Sequence, residues 1–260
     1  MSNTFRILAI GDIVGPMAVK YVSEKLWSFR RDHGITMVVC NGENAASGNG
    51  IDPYSADKLI SSGCDVLTGG NHIFRKREIR QYLENSDRLV RPANYPFGTP
   101  GNGYTIANID GYRVLVINVM GTIYLEALAC PFATVERILE RESGRYDFAV
   151  LDIHAEATSE KIAMGRYFDG RINVVFGTHT HVATADTTIL PKGTGYVTDL
   201  GMSGPNDGVL GVRADIIIEK LRMKLPVKFE LAEGDIEVNG VIFDIDTASG
   251  RVTAVERVKF

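Results

Sequence analysis

The chain has 260 residues, 45% of them hydrophobic, enough to bury a substantial core. A formal net charge of −4 and a pI near 5.8 exclude a basic field for gripping an extended nucleic-acid backbone, and leave small anionic ligands held by local charge or metal. The opening "MSNTFRILAIGD" is too briefly apolar for a signal peptide, no later run reaches a membrane span, and Cys40, Cys64 and Cys130 lack metal-type spacing and read as reduced, buried thiols, so a cytoplasmic protein is expected.

Short apolar runs suited to strands alternate with segments whose apolar residues recur every three or four positions, which predicts α/β layering. "RILAI" is the first predicted strand. The helix after it carries Val22, Leu26 and Phe29 on one face, with His33 at its dipole end and Gly34 as a left-handed C-terminal cap. "MVVC" comes next, followed by a helix with Asp52 as N-cap and Pro53 in its first turn, closing near Gly63. "DVL" follows, and then "IFRKREIRQYLENSDRLVR" concentrates Arg75, Lys76, Arg77, Arg80, Arg88 and Arg91, which reads as a solvated helix face, with phosphate steering as the sharper alternative.

Past residue 100, "GYTIANI" and "YRVLVINVM" predict a hairpin turning at Asp110-Gly111, so the sheet system is expected to be mixed. "FAVLDI" and "NVVF" are further strands, and "VNGVIFDIDTASGRVTAVERV" alternates as antiparallel strands do around Asn239-Gly240 and Ser249-Gly250. No linker, repeat or low-complexity segment marks a boundary, and residues 1–260 are expected to form a single domain.

Polar residues collect just past the predicted strands: Asp12 after "ILAIG", Glu43 and Asn44 after "MVVCNG", Asn71 and His72 after "VLTGG", His154 after "FAVLDI", and His179 and His181 after "NVVFGT". In an open α/β sheet the carboxyl ends of the strands are where ligands bind, so these loops are expected to meet at one rim. If "THTH" continues its strand, His179 and His181 point to one side and Thr180 away. With His154, Asp12, Glu43, Asn44 and Asn71 the candidate ligands are too many for one tetrahedral zinc and suit two adjacent ions. Carboxylate, amide oxygen and imidazole without thiolate fit manganese, iron, zinc or magnesium alike.

Two ions about 3.5–4 Å apart would clamp a phosphate oxygen and ionise a bridging water, so the expected chemistry is phosphate-ester hydrolysis. Glu43 is the expected bridge. His72, beside a candidate ligand, is placed to protonate the departing alkoxide. "GMSGP" lacks the nucleophile-elbow spacing, and no Gly-rich segment ends in Lys-Ser or Lys-Thr as a phosphate-cradling loop does.

The order GD, acidic or amide ligand, GNH, lone His, paired His resembles the calcineurin-like metallophosphoesterases. More closely, "GDIVG", "NGENAASGNGI", "GGNH", "RPANYP", "CPF", "DIHAEATSEKIAMG", "GTHTHVATAD" and "GTGYVTDLGMSGP" resemble the YmdB-like bacterial metallophosphoesterases, from about residue 6 to 205, with "GVIFDID" also fitting. The resemblance implies an αββα sandwich of mixed sheets flanked by helices. It implies one ion on Asp12, Glu43, Asn44 and His181, another on Glu43, Asn71, His154 and His179, Glu43 bridging, and His72 as proton donor. The cofactors would be two divalent or mixed-valence transition metal ions, iron or manganese foremost, and the substrates small cyclic nucleotides such as 2′,3′-cyclic AMP. It further implies homo-oligomers and RNA-processing protein partners.

Three stretches depart from that family's usual pattern: Ile73-Phe74-Arg75 for Thr-Trp-Asp, Pro16 to Val19 for Lys-Pro-Gly-Arg, and Thr122 for an Arg after Met-Gly. None is a candidate ligand. They leave open a phosphomonoesterase or protein phosphatase, or a regulatory protein that binds metal and nucleotide without turnover.

Overall fold

The computed structural model describes residues 4–260. One sheet has six strands in the order β15-β14-β1-β3-β4-β5. Its parallel centre comprises β1 (Thr4–Ile10), β3 (Met37–Asn41), β4 (Val66–Thr68) and β5 (Leu89–Val90), and the antiparallel pair β14 (Asn239–Asp246) and β15 (Val252–Lys259) extends it beside β1. The other six-stranded sheet runs β10-β11-β9-β8-β7-β6. Here β7 (Tyr112–Met120), β8 (Phe148–His154), β9 (Val174–Thr178) and β11 (Gly195–Val197) are parallel, between antiparallel edges β6 (Tyr104–Ile109) and β10 (Thr188–Ile189). A small third sheet joins β2 (Asp12–Ile13), β12 (Met202–Pro205) and β13 (Ile236–Glu237).

The two large sheets face each other across one apolar layer, in which Phe5, Ile7, Val39 and Phe243 of the first meet Val116, Phe148, Val150 and Phe176 of the second. Each outer face is covered by helices. On the first lie α1 (Gly15–Asp32), α2 (Pro53–Ser61) and α3 (Ile79–Asn85), burying Val22, Leu26, Leu59 and Leu83. On the second lie α4 (Pro131–Arg141) and α5 (Thr158–Tyr167), burying Val135, Leu139 and Met164. The architecture is the αββα sandwich expected. A sixth helix, α6 (Ala214–Met223), buries no residue, and no described helix is long and apolar enough to cross a membrane.

Local signals explain most boundaries. Gly34 ends α1 at φ +60°, Asp52 accepts the Ser55 N–H to cap α2, and Gly63 follows it at φ +110°. Asp110 and Gly111 both take positive φ, as a two-residue hairpin between β6 and β7 demands.

Three expectations need correction. Asn239-Gly240 is not a turn: both residues pair within β14, and a Cβ on Gly240 would sit 2.7 Å from the Ala9 carbonyl oxygen, so this glycine serves close strand approach. The basic run is helical only over Ile79–Asn85, and Arg91 is buried, its guanidinium donating to the carbonyls of Pro92, Thr99 and Pro100. Cys130 is exposed, whereas Cys40 and Cys64 are buried side by side, their Sγ atoms 2.7 Å apart.

Candidate metal centre

The strands β1, β3, β4, β8 and β9 end at the same rim, and the chain leaving each delivers a polar side chain there. Glu43 and His154 lie at the centre: His154 Nε2 is 3.3 Å from Glu43 Oε1, 2.9 Å from Asn71 Oδ1 and 3.1 Å from His179 Nδ1. On the other side His181 Nε2 lies 3.8 Å from Asp12 Oδ1 and 3.4 Å from Asn44 Nδ2, which is itself 3.0 Å from Glu43 Oε1. His72 closes the ring, its Nδ1 2.9 Å from Asn44 Oδ1 and its backbone N–H donating to Glu43 Oε2 at 2.9 Å. All the residues singled out from the sequence therefore meet in one place.

The route taken by the histidine pair differs from the expectation. β9 stops at Thr178, and His179 and His181 adopt φ of +97° and +64°, so no strand alternation aligns them. Left-handed backbone at non-glycine residues costs on the order of 1–3 kcal/mol and persists only where neighbours hold it. Here the His179 N–H donates to Asp12 Oδ2 at 3.1 Å, while the Thr180 N–H and hydroxyl donate to Asp199 Oδ2 at 3.2 and 2.7 Å. Asp199 also receives the Lys161 ammonium at 2.7 Å, with both side chains buried. This pair anchors the middle of the histidine loop, and Thr180 faces away from the site as expected.

A second buried network orients His154. The Thr178 hydroxyl donates to Asp152 Oδ1 at 2.7 Å, so its lone pair accepts the His154 Nδ1–H at 2.9 Å and the Nε2 atom is turned into the site. Asn41 and Thr68 donate to the other Asp152 oxygen. Asp152, Asn41, Thr178, Lys161 and Asp199 all escaped sequence reading. The available signal was a carboxylate within the wholly apolar-patterned strand "FAVLDIH" and a lysine three residues before Met164 in "TSEKIAMG", on the buried face of α5.

Burial and charge set the protonation. Burial pushes Asp12 up, against the pull of His181 and His154. Burial would also raise Glu43, but the imidazoles of His154 and His72 hold it well below the carboxylate range. His154 resists its own desolvation and rises to about 9 through Glu43, Asp12 and Asp152, whereas burial and the nearby His154 charge depress His179 to about 3. Lone pairs thus outnumber protons at the centre. Asp12 Oδ1 is buried with no hydrogen-bond partner, and ligand atoms of Glu43, His154 and His179 lie within 4.8 Å of one another. Orphaned acceptors and convergent nitrogens, with no Lys or Arg among the candidate ligands to balance their carboxylates, fit cations that would take the place of the proton on His154. Gly70 leaves the necessary room: a Cβ there would lie 2.2 Å from Glu43 Oε2 and 2.4 Å from His154 Nε2.

The departures lie around this cluster without entering it. Ile73 is buried against Gly69, Phe74 packs edge-on against Tyr95, and Arg75 is exposed. Thr122 turns to Glu160, donating its N–H and hydroxyl to Oε1 at 2.9 and 3.2 Å. Pro16 opens α1.

The model of the YmdB-like protein family matches residues 8–258. A 2′,3′-cyclic-nucleotide 2′-phosphodiesterase of Bacillus subtilis is 44% identical over 253 residues, covering 97% of this chain and 96% of that protein. A Mycoplasma pneumoniae putative phosphatase/phosphodiesterase is 31% identical over 272 residues, covering 100% and 94%. Among solved structures, a hypothetical protein from Thermus thermophilus superposes with a TM-score of 0.92 at 37% identity, covering 98% of this chain and 99% of that one. With the family matched over nearly its whole length and the calcineurin-like αββα sandwich in place, the chain belongs to the YmdB-like metallophosphoesterase family.

Proposed function

We propose that this chain is a phosphodiesterase that hydrolyses small cyclic nucleotides, 2′,3′-cyclic AMP among them, at a dinuclear metal centre within a single domain. The observation that carries the reading is the convergence of the Glu43, His154 and His179 ligand atoms within 4.8 Å of one another, at the same rim as the buried, orphaned Asp12 Oδ1. Asp12, Glu43, Asn44 and His181 would hold one ion, and Glu43, Asn71, His154 and His179 the other. Asn44 joins through its side-chain oxygen, which requires the amide rotated from the orientation in which Nδ2 faces Glu43 and His181. Bound there, two transition ions, iron or manganese foremost and zinc or magnesium also compatible, supply Lewis acidity to the phosphoryl oxygens and lower the pKa of water.

The chain's own groups do the rest. With the Asn44 amide so rotated, its Nδ2–H would donate to His72 Nδ1, now 2.9 Å from Asn44 Oδ1, leaving Nε2–H for the substrate. Hydrolysis adds water across one P–O ester bond: the hydroxyl goes to phosphorus, and the leaving ribose oxygen takes a proton from His72. Asp152 and Thr178 keep His154 aimed inward, and the Lys161–Asp199 pair keeps the loop between His179 and His181 closed. The B. subtilis relative's named activity supports the substrate class. Self-association and an RNA-processing protein partner rest on the family resemblance alone, and a cytoplasmic location on the sequence expectation drawn from the amino-terminal stretch and the cysteines.

The test is turnover of 2′,3′-cyclic AMP by manganese-loaded protein beside His72→Ala. Loss of a proton donor should lower the rate about 10²–10⁴-fold with metal stoichiometry unchanged. No turnover by fully metallated wild-type protein would favour a metal- and nucleotide-binding protein without hydrolysis.

A further inference from the structure

Beside His72 the surface carries aromatic rings and cations that the hydrolytic roles leave unused. Phe74, half-buried, meets Tyr95 edge-on with ring centroids 5.5 Å apart. The Tyr95 hydroxyl lies 3.9 Å from the Met120 sulfur, and Met120 is the β7 residue paired with His154. Burial, then Glu126, then Glu43 push the Tyr95 phenol up to about 12.

Two contiguous hollows lead away from this aromatic pair. One of about 250 Å³ is lined by Phe74, Arg80, Tyr95, Thr99 and Pro100. The other, about 750 Å³, shares Tyr95 and Thr99 and carries Phe97, Arg137 and Arg141 on its walls. Phe97 is wholly exposed, an unfavourable place for a phenyl ring with nothing to cover it. Among the described residues no carboxylate lies within 4.0 Å of Arg80 or Arg137, and Arg141 has only an end contact at 3.4 Å with Glu142.

One exposed and two half-buried rings, interspersed with guanidinium groups along a groove, match the chemistry of a short single-stranded nucleic acid, whose bases stack while its phosphates meet the cations. A 2′,3′-cyclic phosphate closes the 3′ end of a ribonucleotide, so any further nucleotides extend from its 5′ oxygen, away from the reacting ester. The net charge of −4 disfavours a long polyanion but not a few nucleotides held locally. Building on the proposed hydrolysis, we infer that the substrate is the cyclic-phosphate end of a short oligoribonucleotide. Its terminal base lies against Phe74 and Tyr95, and the preceding nucleotides lie in the groove walled by Phe97, Arg137 and Arg141.

The test compares kcat/KM for 2′,3′-cyclic AMP and for a trinucleotide ending in a 2′,3′-cyclic phosphate, in wild type and in Arg137→Ala/Arg141→Ala. These arginines are exposed on α4, away from the metal ligands. Wild type should prefer the trinucleotide about tenfold or more, through KM, and the variant should lose that preference while hydrolysing 2′,3′-cyclic AMP unchanged. Equal kcat/KM for the two substrates in wild type, or a preference that survives in the variant, overturns the inference. In parallel, fluorescence anisotropy follows a labelled trinucleotide ending in a 3′-phosphate. Losing two phosphate contacts should flatten the slope of log K against log salt by about 1.4. If neither cyclic ester is turned over, the hydrolytic reading fails, and anisotropy alone judges the groove: absent binding, or binding indifferent to the variant, refutes it.

Discussion

Replacing Lys161 by methionine removes the ammonium that Asp199 holds at 2.7 Å in a site where both side chains are buried. Asp199 would keep donors from Thr180 and Gly201 but lose its countercharge. Breaking a buried pair from one side costs about 3–5 kcal/mol, because the remaining charge stays desolvated. With an unfolding entropy of about 2.1 cal/mol/K per residue, that cost lowers the Tm of a chain this long by about 5–9 °C. The assay is thermal unfolding by circular dichroism in EDTA, which removes stabilisation by bound metal. Lys161→Met/Asp199→Asn, which carries no stranded charge, should recover more than half of the loss. A drop below about 2 °C for Lys161→Met, within the scatter of ordinary surface changes, would refute the buried-pair reasoning.

Gly70→Ala needs no unusual backbone, yet its methyl would collide with Glu43 and His154, so the variant should fold while binding less metal; full metal stoichiometry by elemental analysis would contradict the cradle. His179→Ala should likewise lower bound metal by removing a ligand nitrogen, and unchanged stoichiometry would reject that assignment. Burial pushes Asp152 up to about 6, above its ordinary 3.8, so in metal-free protein its protonation favours the folded state. Its contribution to stability is therefore highest below about pH 4, falls as pH rises towards 6 and is level above. Removing that charge, Asp152→Asn should gain on wild type by about 2 kcal/mol between pH 4 and 7 in metal-free urea titrations, and a pH-independent difference would sink this account.

The positions of the main strands and the meeting of the candidate ligands at one rim were legible because each candidate ligand follows an apolar run, and the caps at Asp52, Gly34 and Asp110-Gly111 are short-range signals. What stayed hidden depends on long-range contact. Nothing local in "THTH" announces left-handed backbone, which is fixed by Asp12 and Asp199, 167 and 19 residues distant in sequence from His179 and Thr180. Asn239-Gly240 has the composition of a turn, but the approach of β1 makes it a strand. The groove from Phe74 to Arg141 joins segments whose charges vanish in a net count, and Tyr95 stood within "RPANYP" without a role.

The hairpin of β14 and β15 lies beside β1, pairing the first described residue, Thr4, with Asp246. From β15, Arg257 donates to the carbonyl oxygens of Thr184, Asp199 and Leu200, clasping the segment that follows the histidine loop. During synthesis from the amino terminus, β1 emerges early but waits for nearly the whole polypeptide before this neighbour exists. A nascent chain on the ribosome therefore lacks the clasp on its histidine loop. Deleting β15, residues 252–259, would spare every candidate ligand yet strike the same place: the altered protein would keep all those side chains and have lost the strand that steadies their loop.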